Sequence, residues 1–348
     1  GLQKAYQDQL TGSTETRVIT LDTRTSEQVA ELAFWPGRAN TPVRTTLDRR
    51  VQAAADSAVA ASAPGMLVAV QASTGEILAV ATKDFHQERD ALAGRYPPGA
   101  TFAMIAMEGL LRSGVDPGQK VPCAADRTVG GARFQHRIGA ADTTLTLKDS
   151  LARSCVTALA ALARRIDGPA LADAAERFGI GASWRLPLES FSGSVPAMDG
   201  DAAKARVIAG TDVLVSPLAM ALAAGAAASG TWHPPTLVTS PATTGAEAEA
   251  PPPRVDPIDL DRETLDRLRQ MLRAGVTSGA ARPAAAPGKP VHGVAATVGH
   301  TEKDRRENLA WFVGWQDDIA VAVMVRSGDP GAAAAVAGAF FRGVADRT

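Results

Sequence analysis

The chain has 348 residues, a formal net charge of −1 and 45% hydrophobic residues. That length holds one large domain or two modest ones, and the apolar share allows a sizeable core rather than global disorder. The near-neutral charge leaves no footprint for nucleic acid, and two cysteines, Cys123 and Cys155, are too few for a disulfide framework or a dedicated thiolate metal site.

Residues 2–10 predict a short amphipathic helix, and the abrupt start suggests a piece of a longer chain. Arg17-Val18-Ile19-Thr20-Leu21-Asp22 is β-branched and predicts a strand, while residues 28–36 are weakly patterned. Asp48 is the best N-cap for the helix through VQAAADSAVAAS. Residues 66–71 and 77–81 predict the arms of a hairpin, and the polar residues 84–95 predict a loop.

Arg95-Tyr96-Pro97-Pro98-Gly99 is a turn signal. The run behind it places Phe102, Ile105, Ala106, Leu110 and Leu111 at helical spacing, with Gly114 as the stop. A tight turn therefore feeds the N-terminus of a buried helix, where amide groups and the helix dipole favour negative charge. A serine there, with a lysine one turn later on the same face, would make an activated nucleophile. Here both positions, Ala100 and Ala103, are alanine.

Residues 121–139 read as irregular, with Gly130-Gly131 as a turn. Residues 145–151 and 159–166 predict helices interrupted at Ser154-Cys155-Val156; residues 170–178 and the alanine-rich 218–229 predict two more. Residues 239–257, rich in Pro, Ala, Glu and Thr, predict an exposed and partly disordered insert. An amphipathic helix is expected over 261–274, a flexible proline-containing stretch over 279–293, strands at 294–300, 309–315 and 319–325, and a closing helix over 332–344. No signal peptide or membrane-spanning run is visible.

Pro98-Gly99-Ala100-Thr101-Phe102-Ala103 resembles the nucleophile turn of the penicillin-binding proteins, the D,D-transpeptidases of peptidoglycan synthesis, whose Pro-Gly-Ser-Thr-Phe-Lys carries S-x-x-K. Ser154-Cys155-Val156 matches the family's S-x-N, with valine in place of the asparagine that holds the substrate backbone. Thr297-Val298-Gly299 matches K-T-G with the lysine and first hydroxyl gone, and His300 and Thr301 follow. The Thr-Leu-Asp helix, the hairpin, Trp232-His233-Pro234-Pro235 and Ala310-Trp311-Phe312-Val313-Gly314-Trp315 come in family order. The similarity covers about residues 44–348 and weakly includes 1–43.

The resemblance implies an α/β (α+β) class: an antiparallel β-sheet flanked by helices plus an all-helical subdomain over about residues 102–235, the β-lactamase-like transpeptidase fold. It divides the chain into residues 1–43, the remnant of an N-terminal linker or pedestal region, and residues 44–348, a transpeptidase-like domain. It implies an extracytoplasmic place in the cell envelope, an anchor outside this chain, and no cofactor or metal. In that compartment a Cys123–Cys155 disulfide is allowed, and two buried free thiols are the alternative.

The function this implies is that of a catalytically inactive homologue, a pseudo-transpeptidase. It would bind a cell-wall synthesis or division protein, or a peptidoglycan stem peptide, with Ser154, His300 and Thr301 as candidate ligand contacts. Two alternatives stay open. One is an active D,D-transpeptidase, carboxypeptidase or β-lactam-binding enzyme with a displaced nucleophile, such as a cysteine paired with His136, His233 or His300. The other is a non-covalent β-lactam or muropeptide sensor. The bland readings are that Ser154 caps a helix, Gly299 lets its strand pack closely and His300 lies on the surface. A base within hydrogen-bond reach of a cleft nucleophile distinguishes the enzyme. An engineered knockout would account for Ala100 and leave Val156, Thr297 and Val298 unexplained.

Overall fold

The computed structural model describes residues 1–85, 90–136, 143–240, 255–302 and 305–346. The chain divides into two compact units. The smaller comprises Gly1–Thr46, Leu186–Leu188 and Leu237–Pro251. It holds the short helices Leu2–Ala5 and Gln7–Thr11, broken at Tyr6, and an antiparallel ribbon of Thr16–Leu21 with Gln28–Trp35. The weakly patterned residues 28–36 are therefore largely a strand. The ribbon lies open on both faces, so neither burial nor alternation marks it in the sequence.

In the larger unit the Asp48 carboxylate accepts hydrogen bonds from the amides of Arg50 and Val51 at 2.7 and 3.0 Å. That satisfies two of the four orphan donors of α1 (Arg49–Ala60), which buries Val51, Ala54, Ala55, Ala58 and Val59. The hairpin β1 (Gly65–Gln71) and β2 (Ile77–Lys83) follows. Beyond it come α2 (Ala103–Arg112), α3 (Pro217–Ser229), α4 (Arg262–Thr277), β3 (His292–Glu302), β4 (Arg305–Gln316), β5 (Ile319–Arg326) and α5 (Pro330–Ala345). The five strands form one antiparallel sheet in the order β3-β4-β5-β1-β2.

Helices α1 and α5 cover one face of this sheet and α3 the other. Double coverage explains why β1 and β5 read as nearly unbroken apolar runs. Phe312, Phe340 and Phe341 are buried on the α1–α5 side, and each contributes about 1.5–3 kcal/mol by leaving water. On the other side α3 begins at Ser216, whose hydroxyl accepts from the Ala219 amide at 3.1 Å, and ends at Gly230 in the left-handed region.

Between α2 and α3, short helices alternate with irregular chain and two small antiparallel ribbons. Lys120–Cys123 pairs with Thr143–Thr146, and Asp126–Val129 with Ala132–Gln135 around Gly130-Gly131. The region over 102–235 is thus not all-helical, and the part of 121–139 that is described is not irregular. Four-residue strands are shorter than the window in which alternation is detectable, and Pro122 interrupts the inward pair Val121 and Cys123. The sequence pattern does not mark the helix at Gly200–Ile208, because three of its five apolar residues are alanine and the five do not keep to one face at helical spacing. The helix expected from 145 starts at Leu147, capped by the Thr146 hydroxyl. Within residues 279–293, Ala281, Ala284 and Val291 are buried in the core that includes α5, while residues 287–290 are exposed. Residues 86–89, 137–139 and 241–254 of the expected loops lie outside the described residues. No helix among the described residues is long and apolar enough to cross a membrane.

Candidate functional site

The turn before α2 is held from both sides. The Tyr96 amide donates to the Val215 carbonyl at 3.0 Å, and the Val215 amide returns a bond to Tyr96 at 2.9 Å. The Gly99 amide donates to the Gly210 carbonyl at 3.0 Å. Gly99 and Gly210 have φ of +58° and +65°, the left-handed region that glycine enters without strain. A Cβ on Gly210 would lie 2.0 Å from the Gly99 oxygen, so the two backbones touch because Gly210 has no side chain, while a Cβ on Gly99 would press on Val298 at 2.9 Å. This contact fixes where residue 100 points.

Gly99–Phe102 form a 3-10 turn and Ala103 opens the α-helix. Ala100 and Ala103 are 1% and 0% exposed. The neighbouring hydroxyl is committed: Thr101 Oγ1 donates to the Pro98 carbonyl at 2.7 Å and is fully buried.

Ser154 sits between the helices Leu147–Ala152 and Val156–Ala160 with φ +51°, an uncommon conformation for a residue with a side chain. Its amide donates to Leu151 at 2.9 Å, and its hydroxyl donates to the Ala295 carbonyl of β3 at 2.6 Å. Ser154 therefore ties the helical region to the sheet. Cys155 is bonded to Cys123 as a disulfide, which removes both thiols as free nucleophiles. Val156 is the first residue of its helix.

On β3, Thr297 and Val298 are half-buried, Gly299 and Thr301 are exposed, and His300 is half-buried. The ring of His300 meets that of Tyr96 edge-on, with centroids 5.7 Å apart. Tyr96 meets Phe85 in the same way at 5.7 Å, and the Arg326 guanidinium lies 4.7 Å above the Phe85 ring. The position that follows K-T-G in the family is thus occupied by an aromatic contact.

A cavity of about 190 Å³ joins these segments, lined by Ala100, Ser154, Val156 and Thr297 together with His136 and Arg153. The structure gathers Ala100, both Ser154 and Val156, and Thr297 at this cavity; Ala103, Val298, Gly299, His300 and Thr301 are not among its lining residues. Arg153 and His136 supply charge and hydrogen-bonding capacity that the motif positions lack. Arg153 was detectable only as the neighbour of Ser154. The sequence offers His136 only as one of three histidines that a cysteine could meet; it comes here because the chain folds back, with the His136 amide donating to the Ala125 carbonyl at 2.9 Å. The metal-ligand types brought together among the described residues are Cys123, His136 and Cys155, all buried.

The family model of the penicillin-binding protein transpeptidase domain matches residues 65–346. The peptidoglycan D,D-transpeptidase PbpA of Mycobacterium tuberculosis is 26% identical over 339 residues, which cover 82% of this chain and 67% of that protein. Two solved structures share the fold. The D,D-transpeptidase domain of a peptidoglycan glycosyltransferase from Eggerthella lenta has a TM-score of 0.79 at 23% identity, covering 100% of this chain and 87% of its own. Penicillin-binding protein A of M. tuberculosis, in its penicillin G acyl-enzyme complex, has a TM-score of 0.74 at 24% identity, covering 89% and 81%. The preserved glycine turn, the antiparallel sheet and the family match over most of its length place this chain in the penicillin-binding protein transpeptidase family.

Proposed function

We infer that this domain is a catalytically inactive penicillin-binding protein homologue of the cell envelope, acting by binding another cell-wall protein. The observation that carries this reading is Ala100. It occupies the end of an otherwise intact nucleophile turn, with Ala103 where the resemblance places the lysine. Loss of a nucleophile together with its base typically lowers kcat by about 10⁶.

The hydroxyls and thiols nearby support the same reading. Thr101 is bonded to Pro98, Ser154 to Ala295, and Cys155 to Cys123. The cavity of about 190 Å³ is smaller than the roughly 300–1,000 Å³ of ordinary ligand sites, which favours a protein partner over a substrate held in the cleft.

Incubation with a fluorescent penicillin followed by intact-mass measurement tests the reading. The expected result is no adduct, and a stoichiometric mass increase at any residue overturns it. A second reading, a non-covalent muropeptide sensor, draws on Arg153 at the cavity as a partner for a carboxylate. Titration calorimetry with a D-Ala-D-Ala stem peptide separates the two: saturable binding lost in Arg153→Ala favours the sensor.

A further inference from the structure

Cys123, His136 and Cys155 come from three separate elements: the end of the Lys120–Cys123 strand, the residue after Ala132–Gln135, and the residue before the helix Val156–Ala160. Their ligand atoms all lie within 4.8 Å of one another, and all three side chains are buried. The elements are also tied independently of the disulfide. The His136 amide donates to Ala125 at 2.9 Å, and Thr157 Oγ1 donates to Ala124 at 2.7 Å. Opening the sulfur–sulfur bond therefore leaves a held frame carrying two thiols and an imidazole.

We propose that the reduced form of this protein binds one zinc ion through Cys123, His136 and Cys155. Zinc takes thiolate at about 2.3 Å and imidazole at about 2.0–2.1 Å, so a tetrahedral site needs ligand atoms roughly 3.6–3.8 Å apart. The two sulfurs must part and the ring nitrogen must approach within the 4.8 Å cluster, which side-chain rotation supplies with Cα atoms of the cysteines 6.0 Å apart. His136 also lines the cavity beside Ala100 and Val156, so the fourth position belongs to water on that side. Two cysteines alone could not make a zinc site; the histidine folded against them makes it a three-ligand one.

A trialkyl phosphine takes up the oxygen of one water, becomes the phosphine oxide, and leaves two thiols in place of the disulfide. Zinc then displaces the two thiol protons and binds two thiolates and a neutral imidazole, releasing two protons to buffer.

The test uses the full chain, oxidised or treated with phosphine, with zinc chloride or cobalt chloride as the probe. The expected result is one metal per reduced chain and none per oxidised chain. Cobalt should give thiolate charge-transfer bands and the strong visible bands of tetrahedral geometry. His136→Ala, which keeps the disulfide in its oxidised form, should bind zinc at least tenfold more weakly once reduced. Cys123→Ser should abolish stoichiometric binding. Zinc bound equally by the oxidised chain, or unaffected by His136→Ala, overturns the proposal. Where reduction loosens the fold, zinc added before the phosphine should preserve the near-ultraviolet circular dichroism. Loss of that spectrum with zinc present overturns it equally.

Discussion

Ser154 Oγ donates a 2.6 Å hydrogen bond to the main-chain oxygen of Ala295, 141 residues further along the chain. Ser154 is a structural bridge between the helical region and β3. It is 8% exposed and holds a positive φ. Ser154→Ala should cost about 1–2 kcal/mol of stability, the net value of a buried hydrogen bond plus part of the desolvation of its acceptor. Urea denaturation checks this, and an unchanged midpoint would show that the bridge carries no weight.

Restoring Ala100→Ser and Ala103→Lys together should lower the melting temperature. Ala103 is fully buried, and an ammonium group placed there must be desolvated without the partner residues that the other two motifs have lost. Penicillin acylation should remain absent, because Val156 and Thr297 supply neither the asparagine nor the lysine function. Ready acylation of the double variant would falsify the picture of a repurposed site.

Glu108 on α2 is fully buried and receives two bonds from Arg177, at 3.2 and 2.7 Å. The arginine side chain is 20% exposed. Removing one member of such a pair costs about 3–5 kcal/mol when the other is left buried and unpaired. Arg177→Ala leaves the buried carboxylate with only the longer 3.9 Å approach of Arg112, whereas Glu108→Ala leaves a guanidinium with access to water. Arg177→Ala should therefore be the more destabilising of the two, in chemical denaturation of both variants side by side. Equal losses would locate the effect in packing rather than charge.

Burial holds the His292 imidazole below its ordinary range, with Arg273 and Arg269 adding repulsion and a contact to the Pro290 carbonyl opposing them. The ring is stacked on Trp315, with centroids 4.9 Å apart. The folded state therefore takes up a proton later than the unfolded state as pH falls. Stability should rise with pH through the window between the depressed folded value and the unfolded value of about 6.5. Melting temperature measured from pH 5 to 8 should show this slope, and His292→Gln should reduce it. A slope unchanged in that variant assigns the titration elsewhere.

Much of the fold was legible one element at a time. Asp48 ahead of α1, the apolar stripe of α4, and the buried runs of β1 and β5 state their structure locally, through capping chemistry and periodicity. The ribbons at Lys120–Cys123 and Asp126–Val129 did not, since strands of four residues draw their stability from partners the local sequence does not name. The bridge from Ser154 to Ala295 and the nearness of His136 to Cys155 were equally hidden, because no short-range pattern encodes which distant segment arrives opposite a given side chain.

By itself, the sequence determined that Gly99 is followed by Ala100 and Ala103, where the family resemblance expects serine and lysine, since those identities are covalent facts that no folding alters. It also determined that a helix follows, because apolar spacing and the turn residues decide this within a dozen positions. Tertiary structure alone decided what became of the remaining reactive groups. Whether Cys123 and Cys155 meet, whether Ser154 faces a substrate or a carbonyl, and whether His300 faces solvent or Tyr96 depend on contacts between segments far apart in the chain. Those contacts are set by how the sheet and helices pack around a shared core, a property of the whole chain rather than of any one stretch.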